Sequence, residues 1–311
     1  MAILWINAHE GRPWEHHGNG TLFDELARVG RTDGPAIVLI HGYKYQPGHP
    51  DHCPHKQIFS LDSENSWNRT SGWLRQLGFG TGHPAEGLAV AFGWRSRGAI
   101  WHVQRQTRSA GLALARTAIA LRRQSAQRPV HILAHSLGSE LAFEAMHHLP
   151  EGAIDRIIVM TGASYQGRAM AALGTPAGRT AEVINGTSRE NDVFDFLFER
   201  LIPPVGPDDR AIGNGLTASN AVTLQLDCAD TLVHLDRLGL PVGPPERRVC
   251  HWSAYTRPGI LRVYHDLFRH RDALPLNLLR RGLPERSAPR WSRLLAPMAL
   301  PRVLPFAQKP S

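Results

Sequence analysis

The run Val130-His131-Ile132-Leu133-Ala134-His135-Ser136-Leu137-Gly138 carries the most informative chemistry in the chain. An apolar stretch ends in small-x-Ser-x-small and passes straight into residues of helical spacing, the layout of a nucleophile elbow. The positions two before and two after the serine must be small, because so tight a turn leaves no room for bulk. Ala134 and Gly138 meet that demand. Such a turn lifts the Ser136 hydroxyl clear of the sheet at the start of a helix. The plainer reading is a serine that only caps that helix; strand, spacing and helix together favour the nucleophile.

A hydroxyl is a weak nucleophile until a base removes its proton and donors hold the oxyanion. His41-Gly42-Tyr43 directly follows the apolar run 36–40, where one such donor is expected. The backbone N–H groups of Tyr43 and Leu137 are the expected pair, and Gly42 lets the chain turn close to a substrate. A second cluster, Gly48-His49-Pro50-Asp51-His52-Cys53-Pro54-His55, holds enough His, Asp and Cys to suggest zinc. Its two prolines stiffen it and its spacing fits no common zinc module, so it reads as a polar loop at the site rim. No metal or organic cofactor is expected.

Positioning these groups requires a sheet. The run 36–40 is continuous and β-branched, bounded by Gly34-Pro35 and His41-Gly42, and reads as a strand buried on both faces. Residues 88–92, 130–134 and 156–161 repeat the pattern, 182–185 is a weaker fifth strand, and 4–7 is a candidate edge strand. Between them, residues 106–124 carry Leu112, Ala115 and Ile119 at helical spacing, with Arg122-Arg123 suiting a last turn. Leu137, Leu141, Ala145 and Leu149 line a second helix that should stop at Pro150. Strands alternating with helices predict an α/β fold, a mostly parallel central sheet flanked by helices. Residues 48–87, with one helix expected near 67–77, and residues 203–221 read as loop insertions in a single domain over 1–283. Residues 284–311 read as a basic Pro/Arg-rich tail.

With these motifs in order, the chain resembles an α/β-hydrolase. It is similar in particular to a bacterial serine-hydrolase group with an Ala-His-Ser-Leu/Met-Gly elbow and a tryptophan-containing turn after the preceding strand. Phe92-Gly93-Trp94-Arg95-Ser96 matches that turn, with Arg95 where proline is commoner. The resemblance spans about residues 36–260 and implies a triad in chain order Ser, Asp, His. Asp192 matches the family's acid position, after the strand at 182–185; the competing reading makes Asn191-Asp192 a helix cap, with Glu190 and Asp195 as substitutes for the acid. His251, in Arg248-Val249-Cys250-His251-Trp252-Ser253, matches the base. The expected activity is hydrolysis of a carboxylic ester or related acyl bond of a small-molecule substrate, the alternative being a non-catalytic binding protein on the same fold. His135 beside the nucleophile shapes the pocket with Gly42. Trp67, Trp94, Tyr165 and Trp252 are aromatic candidates for an acyl pocket, though such rings serve equally as core.

Composition sets the frame. Of 311 residues 42% are hydrophobic and 20% charged, the balance of a globular protein and not of a disordered one. Three scattered cysteines, Cys53, Cys228 and Cys250, exclude a disulfide framework, and the N-terminus lacks the charge and apolar run of a signal segment, so a cytoplasmic protein is expected. The net charge of +8 is local. Residues 1–256 hold 24 basic and 24 acidic groups, whereas 257–311 hold 11 and 3. The excess therefore belongs to the C-terminal region, which is expected to pack on the body or to meet an anionic surface. No nucleic-acid motif accompanies it, so no nucleic-acid partner is expected.

Overall fold

The computed structural model describes residues 2–18, 22–29, 33–61 and 72–295. Eight strands form one sheet: β1 (Ile3–His9), β2 (Arg12–Glu15), β3 (Ala36–Ile40), β4 (Leu88–Gly93), β5 (Val130–His135), β6 (Arg156–Met160), β7 (Glu182–Thr187) and β8 (Ala221–Gln225). Their order is β2-β1-β4-β3-β5-β6-β7-β8, and every neighbouring pair is parallel except the β1–β2 hairpin. This is the mostly parallel central sheet flanked by helices that the alternation of strands and helices predicts.

Alternation along each strand decides which helix it meets. Val38, Ile40, Val90, Ile132, Ala134 and Val159 face one side. There they pack against α1 (Leu22–Val29), α3 (Ile100–Gln124), α4 (Gly138–Met146) and α5 (Gln166–Leu173). Ile37, Leu39, Ala89, Leu133, Ile158 and Ile184 face the other. They meet α2 (Trp73–Gln76), α8 (Ala229–Arg237), α9 (Ser253–Thr256), α10 (Ile260–Arg269) and α11 (Leu276–Arg281). Burial on both faces explains why the central runs read as unbroken apolar sequence. Arg156 is fully buried; it pairs with Glu182 at 2.7 Å and donates to Leu267 O and Leu274 O, tying the end of α10 to the sheet.

Several boundaries differ from expectation. β1 is not an edge strand, because Gly11, at φ +75°, turns the chain into the hairpin strand β2, which takes the edge. β8, which begins at the last residue of the insertion read over 203–221 and is not among the expected strands, closes the other edge. The long helix begins at Ile100, not 106, and the helix after Ser136 ends at Met146, short of Pro150. Of the helix expected near 67–77 the structure describes Trp73–Gln76; Trp67 lies outside the described residues. The remaining helices are α6 (Pro176–Thr180), which leads into β7, α7 (Asp192–Leu201), which follows β7 at the site, and α12 (Ser292–Leu295) near the C-terminus. Residues 288–294 lie along α7: Ala288 exchanges both hydrogen bonds with the Gln225 side chain, and Arg290 pairs with Glu199 at 3.1 Å. No helix among the described residues is long and apolar enough to cross a membrane.

Candidate active site

Strand order reverses around β3, with β4 on one side and β5 on the other, and such a point opens a crevice at the carboxyl ends of the strands. Ser136 sits there, one residue past β5. Its φ of +53° is left-handed, a conformation that costs a non-glycine residue about 1–2 kcal/mol. The turn is held from both sides. Ser136 N–H donates to Met160 O at 3.1 Å, and Ser136 O accepts from the N–H groups of Ser139 and Ala163, both at 3.0 Å. A Cβ at Gly138 would lie 2.8 Å from His41 O, which is why this position must stay small. A Cβ at Gly42 would meet Ser136 Cβ at 2.8 Å and His135 Nδ1 at 3.0 Å, so the Gly42–Tyr43 peptide passes directly against the serine.

The loop after β8 and α8 brings His251 to the same place. Its Nε2 lies 2.9 Å from Ser136 Oγ. Phe194 stacks on the ring with centroids 4.7 Å apart, and His135 stands at 4.7 Å on another side. The His251 carbonyl accepts from His135 Nε2 at 3.3 Å and from Thr161 Oγ1 at 3.1 Å, which anchors its backbone to the ends of β5 and β6. Burial first, and His135 second, hold the imidazole well below the usual histidine pKa. The ring is therefore neutral at pH 7, the form that can accept a proton.

The partner of the other ring nitrogen is not Asp192. His251 Nδ1 lies 2.6 Å from Asn191 Oδ1, while Asp192 Oδ2 accepts the N–H of Trp291 at 2.5 Å. The reason is helical rotation. Asn191 caps α7 and Asp192 opens it, so one step along the chain turns the side chain about 100° away from the imidazole. Behind Asn191, one turn on, its Nδ2 donates to Asp195 Oδ1 at 2.9 Å. Glu190 points elsewhere, into a buried ion pair with Arg257. Sequence reasoning thus left out Asn191 as the histidine's partner; the available signal was its i, i+4 spacing with Asp195.

The other expected site residues divide. Leu137 is buried at the start of the turn, and Tyr43 is half-buried with its hydroxyl donating to Gly98 O. Trp94 is not a pocket wall. It is 1% exposed, stacks on His41, and donates from its backbone N–H to His41 Nε2 and from Nε1 to His41 O, both at 3.0 Å. Tyr165 likewise belongs to the core, its hydroxyl donating to Ile202 O at 2.6 Å. Trp252 stands at the rim, 49% exposed, against Phe194. In the 49–55 loop His55 Nε2 bonds Asn7 Oδ1 at 2.8 Å, and no group of three His, Cys, Asp or Glu placed to hold a metal occurs among the described residues.

The buried histidines have a consequence for stability. Burial holds His41 and His131 down to about 3 and His135 to about 4. Below about 6.5 the unfolded chain binds protons at these sites and the folded chain does not, so acidification from 6.5 toward 4 favours unfolding. Asp195, pushed up to about 8 by burial, works in the opposite sense by one proton. Urea denaturation between pH 7 and 4 should therefore show stability falling by more than the ~1.4 kcal/mol per pH unit of a single group. A flat profile would contradict this reading.

Residues 25–161 match a family model described as an alpha/beta hydrolase of unknown function. Among solved structures the chain is similar to the acylaminoacyl peptidase of Pyrococcus horikoshii, in an orthorhombic crystal form. The likeness stands at 12% identity and a TM-score of 0.36, over 84% of this chain and 39% of that one. The chain thus spans well under half the length of that peptidase. Comparison with curated proteins gives no match.

Proposed function

We propose that this chain is an α/β-hydrolase, a serine hydrolase that cleaves a carboxylic ester or related acyl bond of a small-molecule substrate through an acyl-enzyme, a reading supported by the family match over residues 25–161. The observation that carries the reading is the 2.9 Å approach of His251 Nε2 to Ser136 Oγ at a strained strand-to-helix turn. His251 takes the hydroxyl proton as Ser136 Oγ attacks the acyl carbon. The backbone N–H groups of Tyr43 and Leu137 receive the oxyanion, a role supported by the passage of the Gly42–Tyr43 peptide against the serine. The imidazolium returns the proton to the leaving alkoxide, and water, deprotonated by the same nitrogen, releases the acid and restores Ser136. Asn191 takes the place of the acid: it orients the ring through Nδ1 but adds no negative charge. Phe194 and Trp252 form the apolar rim against which an acyl group would lie.

A fluorophosphonate probe tests this. The wild-type protein should become covalently labelled and Ser136→Ala should not. Equal labelling of the two, or none of the wild type, would sink the mechanism and leave a binding protein on this fold as the better reading.

A further inference from the structure

Asn191 bonds in two directions, and only one orientation of its amide serves the proposed chemistry. Oδ1 faces His251 Nδ1 at 2.6 Å and Nδ2 faces Asp195 Oδ1 at 2.9 Å. An amide oxygen only accepts, so in this orientation His251 Nδ1 must carry the ring proton and Nε2 presents a lone pair to Ser136. Turned over, Nδ2 would donate to Nδ1, the ring proton would move to Nε2, and Ser136 would face an N–H that cannot act as a base. Something must choose between the two.

Resting on the serine-hydrolase reading, we infer that Asp195 is a positioning residue: its carboxylate, accepting from Asn191 Nδ2, locks the amide and so selects the base form of His251. A carboxylate has no proton to give, so it tolerates only the Nδ2 end of the amide. Its placement is built for one contact. Asp195 lies one turn along α7 from Asn191, is 4% exposed, and packs so closely on the 212–214 turn that a Cβ at Gly213 would overlap Oδ2. Once protonated, the same carboxyl could donate to Oδ1 of the turned-over amide, and the lock would be gone.

The inference carries a pH dependence. The charged groups acting on Asp195 are Asp192 and Glu199 from α7 itself and Arg290 from the C-terminal segment. Those facing His251 reduce to His135 on β5. Burial outweighs Arg290 and raises the Asp195 carboxyl to about 8. Burial keeps His251 neutral far below that, so a rise in activity between pH 7 and 9 reports Asp195 and not the imidazole.

The test is the rate of fluorophosphonate labelling and kcat/KM for p-nitrophenyl acetate, corrected for spontaneous hydrolysis, from pH 6 to 9.5. Three proteins are compared: wild type, Asp195→Asn and Asp195→Leu. Wild type should gain severalfold on passing through about pH 8. Asp195→Asn keeps an acceptor for Nδ2 but also offers a donor, so it should fold, lose the alkaline rise, and fall about tenfold below wild type at pH 9. Asp195→Leu should lose more, in kcat with KM little changed. Nitrogen-15 shifts of the His251 ring should report the Nδ1–H form in wild type at pH 9 and a tautomer mixture in Asp195→Asn. If Asp195→Leu fails to fold, the Asp195→Asn profile decides. Labelled wild type and folded Asp195→Asn with identical profiles overturn the positioning role alone. A wild type that is never labelled overturns the hydrolase reading, and this inference with it.

Discussion

His251→Ala is expected to lower kcat for an activated ester by a factor of roughly 10⁴ to 10⁶, with KM changed little. In the proposed mechanism the imidazole has three tasks, accepting the serine proton, carrying it as imidazolium, and delivering it to the leaving group, and among the described residues it is the side chain hydrogen-bonded to Ser136 Oγ. His135 is the nearest other imidazole, but its Nε2 is committed to His251 O and burial holds it down to about 4, so it cannot substitute. The expected residue of activity comes from the proposed oxyanion donors, which the substitution leaves in place. Steady-state kinetics with a p-nitrophenyl ester, alongside circular dichroism to verify folding, measures the loss. A loss under tenfold would mean that His251 is not the base.

The second large effect is on stability. Arg257→Leu is expected to destabilise the fold by about 3–5 kcal/mol, the usual result of leaving one member of a buried ion pair alone. Arg257 and Glu190 are each about 2% exposed; Arg257 Nη2 bonds Glu190 Oε2, and Nη1 donates to Leu226 O. The pair sits where the two halves of the candidate site join. The N–H of Cys250 donates to Glu190 O at 2.8 Å, so the segment carrying His251 hangs from the segment carrying Asn191. Losing the arginine should therefore also slow hydrolysis, through loosened spacing between Asn191 and His251. Replacing Glu190 by leucine in the same protein removes the stranded charge and should recover a large part of the lost stability, seen as a rise in urea midpoint over Arg257→Leu. No recovery would show that Arg257 acts through its carbonyl contacts and not through the pair.

How far the chain could be read beforehand depended on whether the signal was local. The central strands β3, β4, β5 and β6 are short β-branched runs buried on both faces, and such runs announce themselves. β2 and β8 are edge strands: Arg12–Glu15 is charged at both ends and exposed or half-buried throughout, and Ala221–Gln225 is short and interrupted by Thr223, so neither offers an unbroken apolar run. The elbow was legible because its demands are steric and contiguous: Ala134 and Gly138 must be small, and Gly138 shows why, lying against His41 O. His251 was legible through its match to the family's base position, after the last strand. Trp94 was not legible at all, since an aromatic ring carries no mark of which side of a turn it will face; here it went inward onto His41.

The histidine's partner marks the limit most clearly. Residue types and spacing announced a serine at a strand-to-helix turn; the family resemblance implied the histidine at 251 and an acid at 192, with Glu190 and Asp195 as substitutes, to meet it. Which side chain in that stretch touches the imidazole is set by the phase of α7 against a loop some sixty residues away. That phase is a property of packed elements, not of neighbouring residues. One position along a helix is about 100° of rotation, enough to send Asp192 to the backbone of Trp291 and bring Asn191 to His251. The proposed nucleophile was written in residue types and short spacings; the pairing of the histidine with a neutral amide, backed by a buried Asp195, was made by tertiary packing.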